Sequence, residues 1–99
     1  MNVFKEKCYE LLLQVPRGRI TTYGEIAKKL GTKAYRAVGR AMKENTNAPQ
    51  VPCHRVVKSC GDIGEYNRGQ KEKIKLLKGE RIKIKDNKII NFKEKLYKF

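Results

Sequence analysis

The chain has 99 residues, which is enough for one domain with a modest hydrophobic core. Its 24 lysines and arginines outnumber 10 acidic residues, and the formal net charge of +14 favours a polyanionic partner, with nucleic acid foremost; lysine enrichment in a heat-adapted protein is the alternative explanation. An odd set of three cysteines and the lack of a signal peptide or long apolar run argue against a secreted disulfide scaffold and a membrane protein, so a single cytoplasmic domain over residues 1–99 is expected.

The first predicted element is a helix over residues 3–14. Apolar side chains recur there at roughly helical spacing, and Pro16 with Gly18 ends the pattern. The side chains assigned to the core face are Val3, Cys8, Leu11, Leu12 and Val15.

A helix-turn-helix is predicted next. Its first helix begins at Thr22, three positions before Glu25 in the arrangement of a capping box, and runs to about Leu30. After a short turn, the second helix covers residues 34–44, with an apolar face opposite its basic residues. The apolar positions are Ala37, Val38, Ala41 and Met42, and the basic ones are Arg36, Arg40 and Lys43.

The second of these helices is a candidate for contact with DNA. It combines the small residues Gly39 and Ala41 with arginines, which suits close approach to a minor groove and local unstacking better than reading of the major groove. An ordinary helical hairpin with a solvated basic face is the alternative.

Short β elements and loops follow. Residues 45–50 form a polar loop, Val56 and Val57 a short strand, residues 59–62 a turn, and residues 64–69 a glycine-bounded loop able to wall a pocket. A basic amphipathic helix is predicted over residues 71–79, and a β-hairpin over residues 81–92 with Asp86 and Asn87 at its turn. The predicted fold class is mainly α with short β elements, a winged-helix-like helix-turn-helix domain with a terminal hairpin.

The pair Cys53 and His54 is the strongest chemical signal. A free thiol has a pKa near ~8.5 and needs activation, which His54 or Arg55 can supply, directly or through a bridging water. For cysteine in general, a role as a small buried hydrophobe is the competing interpretation. With one histidine and no paired C-x2-C motif, zinc is disfavoured, and neither a metal nor a cofactor is predicted.

Residues from about 19 to 80 resemble the C-terminal, DNA-binding and catalytic domain of the O6-alkylguanine-DNA alkyltransferases. Four ordered blocks carry the resemblance: ITTYGEIA at 20–27, RAVGRAM at 36–42 with Asn45, PCHRVV at 52–57, and GEY at 64–66 with Leu76, Leu77 and Glu80. The resemblance implies a monomer, able to bind cooperatively, that acts on double-stranded DNA containing alkylated guanine. It would flip the damaged base and take the O6 alkyl group irreversibly onto Cys53.

The resemblance also implies catalytic roles. Cys53 is the acceptor, His54 the base that acts through a water, and Glu80 the carboxylate that orients the histidine. Asn45 organises the turn bearing the cysteine, and Tyr23 protonates the departing guanine. Read singly, Asn45 is equally a helix C-cap, Tyr23 a core aromatic and Glu80 a surface acid paired with a basic residue.

Further roles concern DNA and the pocket. Arg36 would enter the duplex and replace the flipped base, and Tyr66, if it is not a core aromatic, would pack on that base. Asn67 and Arg68 replace the small residues usual in the family, so a bulkier and more cationic pocket lip is expected. The other implied DNA contacts are Thr22, Tyr23, Ala34, Gly39, Arg40 and Lys43, and the backbone of Val57 and Ser59 would read the base edge.

Two alternative functions stay open. The family usually carries an N-terminal α/β domain that is expected to be missing here, as it is in the alkyltransferase-like proteins, which bind the lesion and recruit excision repair without transfer. That class replaces the acceptor cysteine, whereas Cys53 is present. A small helix-turn-helix transcriptional regulator is the second alternative, and it leaves the Cys53 and His54 pair unexplained.

Overall fold

The computed structural model describes residues 3–99, and helices dominate it, as the sequence predicted. The elements in chain order are α1 (Val3–Gln14), β1 (Thr21–Thr22), α2 (Tyr23–Lys29), α3 (Tyr35–Lys43), a 3-10 turn (Cys53–Arg55), β2 (Val56–Val57), α4 (Gln70–Gly79), β3 (Ile84–Lys85), β4 (Lys88–Ile89) and α5 (Phe92–Lys95). Within residues 3–99, no helix is both long and apolar enough to cross a membrane.

Helix α1 packs on α3 through most of its predicted apolar face. The buried positions are Cys8, Leu11 and Leu12, with Val15 just beyond the helix. The assignment of Val3 to the core was wrong, because it is 56% exposed. At about 100° of rotation per residue, Val3 lies about 140° around the helix from Cys8 and so faces away from α3. The Tyr9 hydroxyl donates to the Ala41 carbonyl oxygen at 2.7 Å and ties α1 to α3.

The predicted helix-turn-helix is formed by α2 and α3. The Thr22 side chain caps α2 by accepting a hydrogen bond from the Glu25 backbone at 3.0 Å. Between the helices Gly31 has φ +72°, which a glycine adopts without strain. Helix α3 buries Val38, Ala41 and Met42 and exposes Arg36, Arg40 and Lys43. The basic face is therefore free to meet a partner.

A parallel pair of very short strands joins the two halves of the sequence. Thr21 pairs with Val56 and Thr22 with Val57. Because α2 starts directly after β1, this pairing places Tyr23 beside the segment that follows Cys53. The pairing was not predicted, since two-residue strands leave no alternating pattern in the sequence.

The terminal β-hairpin is confirmed, although its strands are short. β3 and β4 pair antiparallel, and Asp86 and Asn87 both have positive φ, as a tight primed turn requires. Beyond it, the chain continues as the unpredicted helix α5 and returns to β1. The Tyr97 N–H donates to the Ile20 carbonyl at 2.6 Å, and the Thr21 hydroxyl donates to the Tyr97 carbonyl at 3.0 Å.

The hydrophobic core has two parts that meet at the motif PCHRVV. Cys53 and Val56 belong to the cluster formed with α1, α2 and α3. Val57 belongs to the cluster formed with α4 and the hairpin, which includes Ile63, Leu77 and Ile82. The segment that carries the cysteine is thus held by packing on both sides.

Deletion of residues 97–99 should lower the free energy of unfolding by about 1–3 kcal/mol, since it removes the hydrogen bonds of Tyr97 with Ile20 and Thr21 and the packing of Phe99 on the core. Urea unfolding followed by circular dichroism measures the change. The exposed substitution Lys98→Ala is the control and should leave the midpoint unchanged. An unaltered midpoint in the truncated chain would show that this segment does not stabilise β1.

Candidate active site

Cys53 lies at the base of a groove of about 1030 Å³. The residue begins the 3-10 turn that follows Pro52, its side chain is 3% exposed, and its N–H donates to the Val51 carbonyl at 2.8 Å. The groove therefore gives a reactant access to a thiol that is otherwise enclosed. Its lining consists of Tyr23, Tyr35, Arg36, Gly39, Arg40, Met42, Lys43, Glu44, Cys53, Lys58, Glu65, Tyr66 and Asn67.

The carboxylate of Glu80 is hydrogen-bonded to His54 and Arg55, the two residues that follow Cys53 in sequence. His54 Nε2 lies 3.0 Å from Glu80 Oε2, and the Arg55 guanidinium donates to both carboxylate oxygens at 2.9 and 2.8 Å. Arg55 also donates to the Val15 carbonyl at 2.8 Å. Glu80 caps the end of α4, so this helix is fixed to the cysteine turn.

These contacts keep the Glu80 carboxyl group ionised at neutral pH. Burial raises its pKa, but hydrogen bonds from His54 and Arg55 and their charges outweigh burial and hold the pKa at about 2. An ionised Glu80 accepts from His54 Nε2, which leaves Nδ1 of a neutral ring as the acceptor. Nδ1 is buried and has no hydrogen-bond partner within residues 3–99.

The Cys53 thiol is held mainly in its protonated form. Burial raises its pKa above the usual value, while a side-chain hydrogen bond from Asn45, the ammonium of Lys73, a backbone hydrogen bond and the charge of Arg68 act in the opposite direction. Burial dominates, so the resting thiol requires a base to become a thiolate. Cys8, the other buried cysteine, is more inert, since burial raises its pKa to about 11.

Asn45 fixes the loop that leads to the cysteine. Its side chain is buried, its Nδ2 donates to the Val51 carbonyl at 2.8 Å, and its Oδ1 accepts from the Asn47 N–H at 2.9 Å. Because Val51 in turn accepts from the Cys53 N–H, one amide side chain determines the path of residues 45–53.

Tyr23 stands at the start of α2 on the wall of the groove. Burial, together with the negative charges of the Cys53 thiolate and Glu65, raises its pKa to about 12. The hydroxyl therefore stays protonated at neutral pH and is available as a donor.

Tyr66 and Asn67 form the opposite wall. The Tyr66 ring lies edge-on to His54 with centroids 6.4 Å apart, and its buried hydroxyl has no partner within the described chain. Asn67 Nδ2 donates to the Asn45 carbonyl at 2.9 Å, so the loop over residues 64–69 is tied to the end of α3. Of the two residues expected to make the pocket lip bulkier and more cationic, Asn67 lines the groove, whereas Arg68 is exposed and lies outside the groove lining.

Of the remaining residues with predicted DNA or pocket roles, some line the groove and others lie outside it. Arg36, Gly39, Arg40 and Lys43 bring α3 into the groove wall. Thr22 is 4% exposed and serves as the cap of α2, and Val57 is fully buried in β2. Ala34 and Ser59 are exposed.

The sequence interpretation missed several residues of the site. Lys73 was not singled out within the basic helix predicted over residues 71–79, yet it is fully buried, and its position four residues before the buried Leu77 was the signal that could have placed it inward. The link between Arg55 and Glu80 joins residues 25 apart and left no local pattern. Among residues 3–99, no group of three or more potential ligands could hold a metal ion.

The comparisons with known proteins agree on one family. Residues 3–82 match the model of the 6-O-methylguanine DNA methyltransferase DNA-binding domain. The chain is 51% identical over 81 residues, 81% of its length, to the methylated-DNA--protein-cysteine methyltransferase of Thermococcus kodakarensis, covering 45% of that protein. The chain spans about half or less of the length of the curated relatives it matches.

Two solved structures are also similar. S. pombe Atl1, in complex with damaged DNA containing O6-carboxymethylguanine, has a TM-score of 0.87 at 32% identity, with 100% of this chain and 98% of that chain covered. Mycobacterium tuberculosis OGT, in complex with DNA, has a TM-score of 0.79 at 39% identity, with 82% of this chain and 51% of that chain covered.

Substitution of Glu80 by Gln should lower the free energy of unfolding at pH 7 by about 1–3 kcal/mol, since His54 and Arg55 lose an ionised partner. The pKa of Glu80 is lowered from 4.5 to about 2, so its stabilising effect is full above pH 4.5 and is lost as the pH falls to 2. Urea unfolding across this range should show the difference between wild type and Glu80→Gln shrinking. The control Glu10→Gln changes an exposed acid; a Glu80→Gln difference that did not depend on pH would contradict the account.

Proposed function

The chain belongs to the 6-O-methylguanine DNA methyltransferase family, and we propose that it repairs DNA by moving the alkyl group of an O6-alkylguanine onto its own Cys53. Membership supports DNA repair through either alkyl transfer or lesion binding. The observation that favours transfer is a cysteine at the base of the groove, backed by a histidine whose Nε2 is held by a carboxylate at 3.0 Å.

The proposed partner is double-stranded DNA with an alkylated guanine, the kind of ligand named for S. pombe Atl1. Helix α3 offers the exposed cations Arg40 and Lys43 to the phosphates, and Gly39, partly buried on the same groove wall, lets the duplex approach closely. A small-residue surface with a projecting arginine suits the minor groove, so Arg36 is assigned to the gap left by the flipped base.

A flipped guanine would enter the groove between α3 and the loop over residues 64–69. Stacking on an aromatic ring stabilises an extruded base, and Tyr66 provides that ring beside His54. The backbone of Val57 and Ser59 is assigned to the edge of the base. Asn67 ties the loop over residues 64–69 to the end of α3 by a hydrogen bond. This contact keeps the pocket next to the helix that is proposed to bind DNA.

The proposed reaction is a single displacement. His54 Nδ1 takes the proton of the Cys53 thiol through a water, while Glu80 stabilises the resulting imidazolium from the other side. The sulfur forms a bond to the alkyl carbon, and the bond from that carbon to O6 breaks with its electron pair passing to guanine. The Tyr23 hydroxyl gives its proton to the guanine, and the proton taken from Cys53 returns to Tyr23 through solvent. Because the thioether is stable, each molecule reacts once.

Lesion binding without transfer is the second candidate. The similarity to S. pombe Atl1 extends over 100% of this chain, beyond the residues that match the family model. In that case the groove would hold the alkylated base as a signal for other repair proteins. The arrangement of Asn45, His54 and Glu80 around Cys53 favours transfer, since lesion binding alone requires none of these hydrogen bonds.

The distinguishing experiment incubates the protein with a duplex containing one O6-methylguanine and weighs the intact chain. Transfer predicts a gain of one methyl group, located on Cys53 by peptide mass spectrometry. The control Cys53→Ser should bind the same duplex with no gain in mass. Tight binding of the lesion by the wild type without a change in mass would favour the lesion-binding candidate instead.

Substitution of Arg36 by Ala should slow transfer at saturating concentrations of duplex by about tenfold or more, because no side chain then fills the gap that the flipped base leaves in the stack. Transfer from free O6-methylguanine should change by less than about twofold, since no stack is opened. Arg40→Ala is the matched control on α3, and its defect should disappear at saturating DNA. Rates come from single-turnover assays on both substrates; equal losses for Arg36→Ala on both would remove its assigned role.

A further inference from the structure

Tyr35 is an exposed aromatic residue at the mouth of the groove, and the proposed chemistry does not use it. Among residues 3–99, the exposed large apolar or aromatic side chains are Val3, Leu13, Tyr35 and Ile90, and Tyr35 alone of these lines the groove. It is 52% exposed, whereas Cys53 at the base of the same groove is 3% exposed. The ring therefore lies where a large ligand would first meet the groove.

The exposure of Tyr35 differs from what its position on α3 would suggest. Val38 and Met42, three and seven residues further on, are buried, so helical spacing puts Tyr35 on the same side of the helix. Helix α2 lies beside the ring, and a Cβ placed on Gly24 would be 3.9 Å from Tyr35 Cε1. Because Gly24 has no side chain, α2 offers nothing at that point to cover the ring.

Tyr35 is also the direct neighbour of Arg36, which is assigned to the gap left by the flipped base. Tyr35 begins α3, and its N–H donates to the Lys33 carbonyl at 2.8 Å. Successive side chains on an α-helix point about 100° apart, so Tyr35 and Arg36 cannot fill the same gap. Both line the groove together with the cations Arg40 and Lys43. The ring therefore lies among side chains suited to phosphates and beside the arginine proposed to enter the duplex.

A flipped base leaves more than a gap in the duplex. The neighbouring base loses its stacking partner, and a kink at that step exposes its apolar face. Proteins that open a base step insert apolar side chains against such faces. An aromatic ring stacks on any of the four bases and contributes about 1–3 kcal/mol. An opened stack thus needs an apolar ring beside the arginine, and Tyr35 has that chemistry.

We propose that Tyr35 is a second side chain inserted into DNA, a wedge that stacks on the base next to the flipped nucleotide while Arg36 occupies the vacated position. The proposal rests on the proposed function for the flipped base. It does not depend on alkyl transfer, since a protein that only bound the lesion would open the same stack. Stacking uses the ring and not the hydroxyl, so phenylalanine should replace Tyr35 and alanine should not.

The first test uses Tyr35→Trp as a fluorescent reporter, because the chain has no tryptophan of its own. A Cys53→Ser background removes the acceptor, so the complex with a duplex containing one O6-methylguanine does not react. Emission of Tyr35→Trp should be quenched by saturating lesion duplex, since an indole stacked on a base loses fluorescence, and less by an unmodified duplex. The control Leu13→Trp, at an exposed position of α1 outside the groove lining, should keep its emission. Unchanged emission of Tyr35→Trp, or equal quenching by the two duplexes, would overturn the proposal.

The second test measures the affinity for the lesion duplex at several salt concentrations, again in the Cys53→Ser background. Tyr35→Ala should weaken binding about tenfold at every salt concentration, because a stacked base is lost and no phosphate contact is. Tyr35→Phe keeps the ring and should stay within about twofold of the parent. Arg40→Ala, an exposed change on the same helix, is the control and should instead lower the slope of log affinity against log salt by about one.

Circular dichroism establishes that each variant is folded. Unchanged affinity in folded Tyr35→Ala would overturn the proposal, and so would equal losses in Tyr35→Phe and Tyr35→Ala, because a hydroxyl contact with a phosphate would then explain the effect. Failure of the proposed function is a separate result. Quenching of Tyr35→Trp without methyl transfer by the wild type would sustain the wedge and favour lesion binding, whereas transfer without quenching would remove only the role of Tyr35.

Discussion

The carboxylate of Glu80 is the interaction on which the geometry of this site depends. It accepts hydrogen bonds from His54 and Arg55, which are consecutive in the chain, and it sits at the end of α4. One acidic side chain therefore fixes the direction of the cysteine turn relative to a helix and orients the ring beside it. Arg55 extends the link to the end of α1 through the Val15 carbonyl. The same carboxylate thus serves the stability of the fold and the chemistry proposed for it.

Two charged side chains of opposite sign hold the segment that carries Cys53. Glu80 accepts hydrogen bonds from His54 and Arg55, whereas the buried Lys73 donates from α4 to the Val56 carbonyl. Burial raises the pKa of the Cys53 thiol and keeps the resting thiol protonated, so the proposed reaction needs His54 to take its proton. Tyr23, with its pKa raised to about 12, stays protonated, as its proposed role as the proton donor to the leaving group requires.

Local patterns in the sequence predicted helices α1 to α4 and the hairpin well, but not α5. The apolar spacing of α1 and α3, the cap at Thr22 and the turn at Asp86 all depend on neighbouring residues, which a sequence reveals directly. The pairing of β1 with β2 and the contact of Tyr97 with Ile20 depend on residues far apart and on strands too short to show a period. Lys73 was overlooked because lysine normally faces water, and only its hydrogen bonds to the Val56 and Glu65 carbonyls explain why it does not.

The measurement that tests the account most directly is the amount of normal guanine regained in DNA as protein is added to a duplex with one O6-methylguanine. Digestion to nucleosides and chromatography give the amounts of both bases. The account predicts one guanine regained per molecule of protein, no further recovery once all Cys53 is consumed, and no cut in the strand. Unchanged O6-methylguanine in duplexes saturated with bound, folded protein would contradict it.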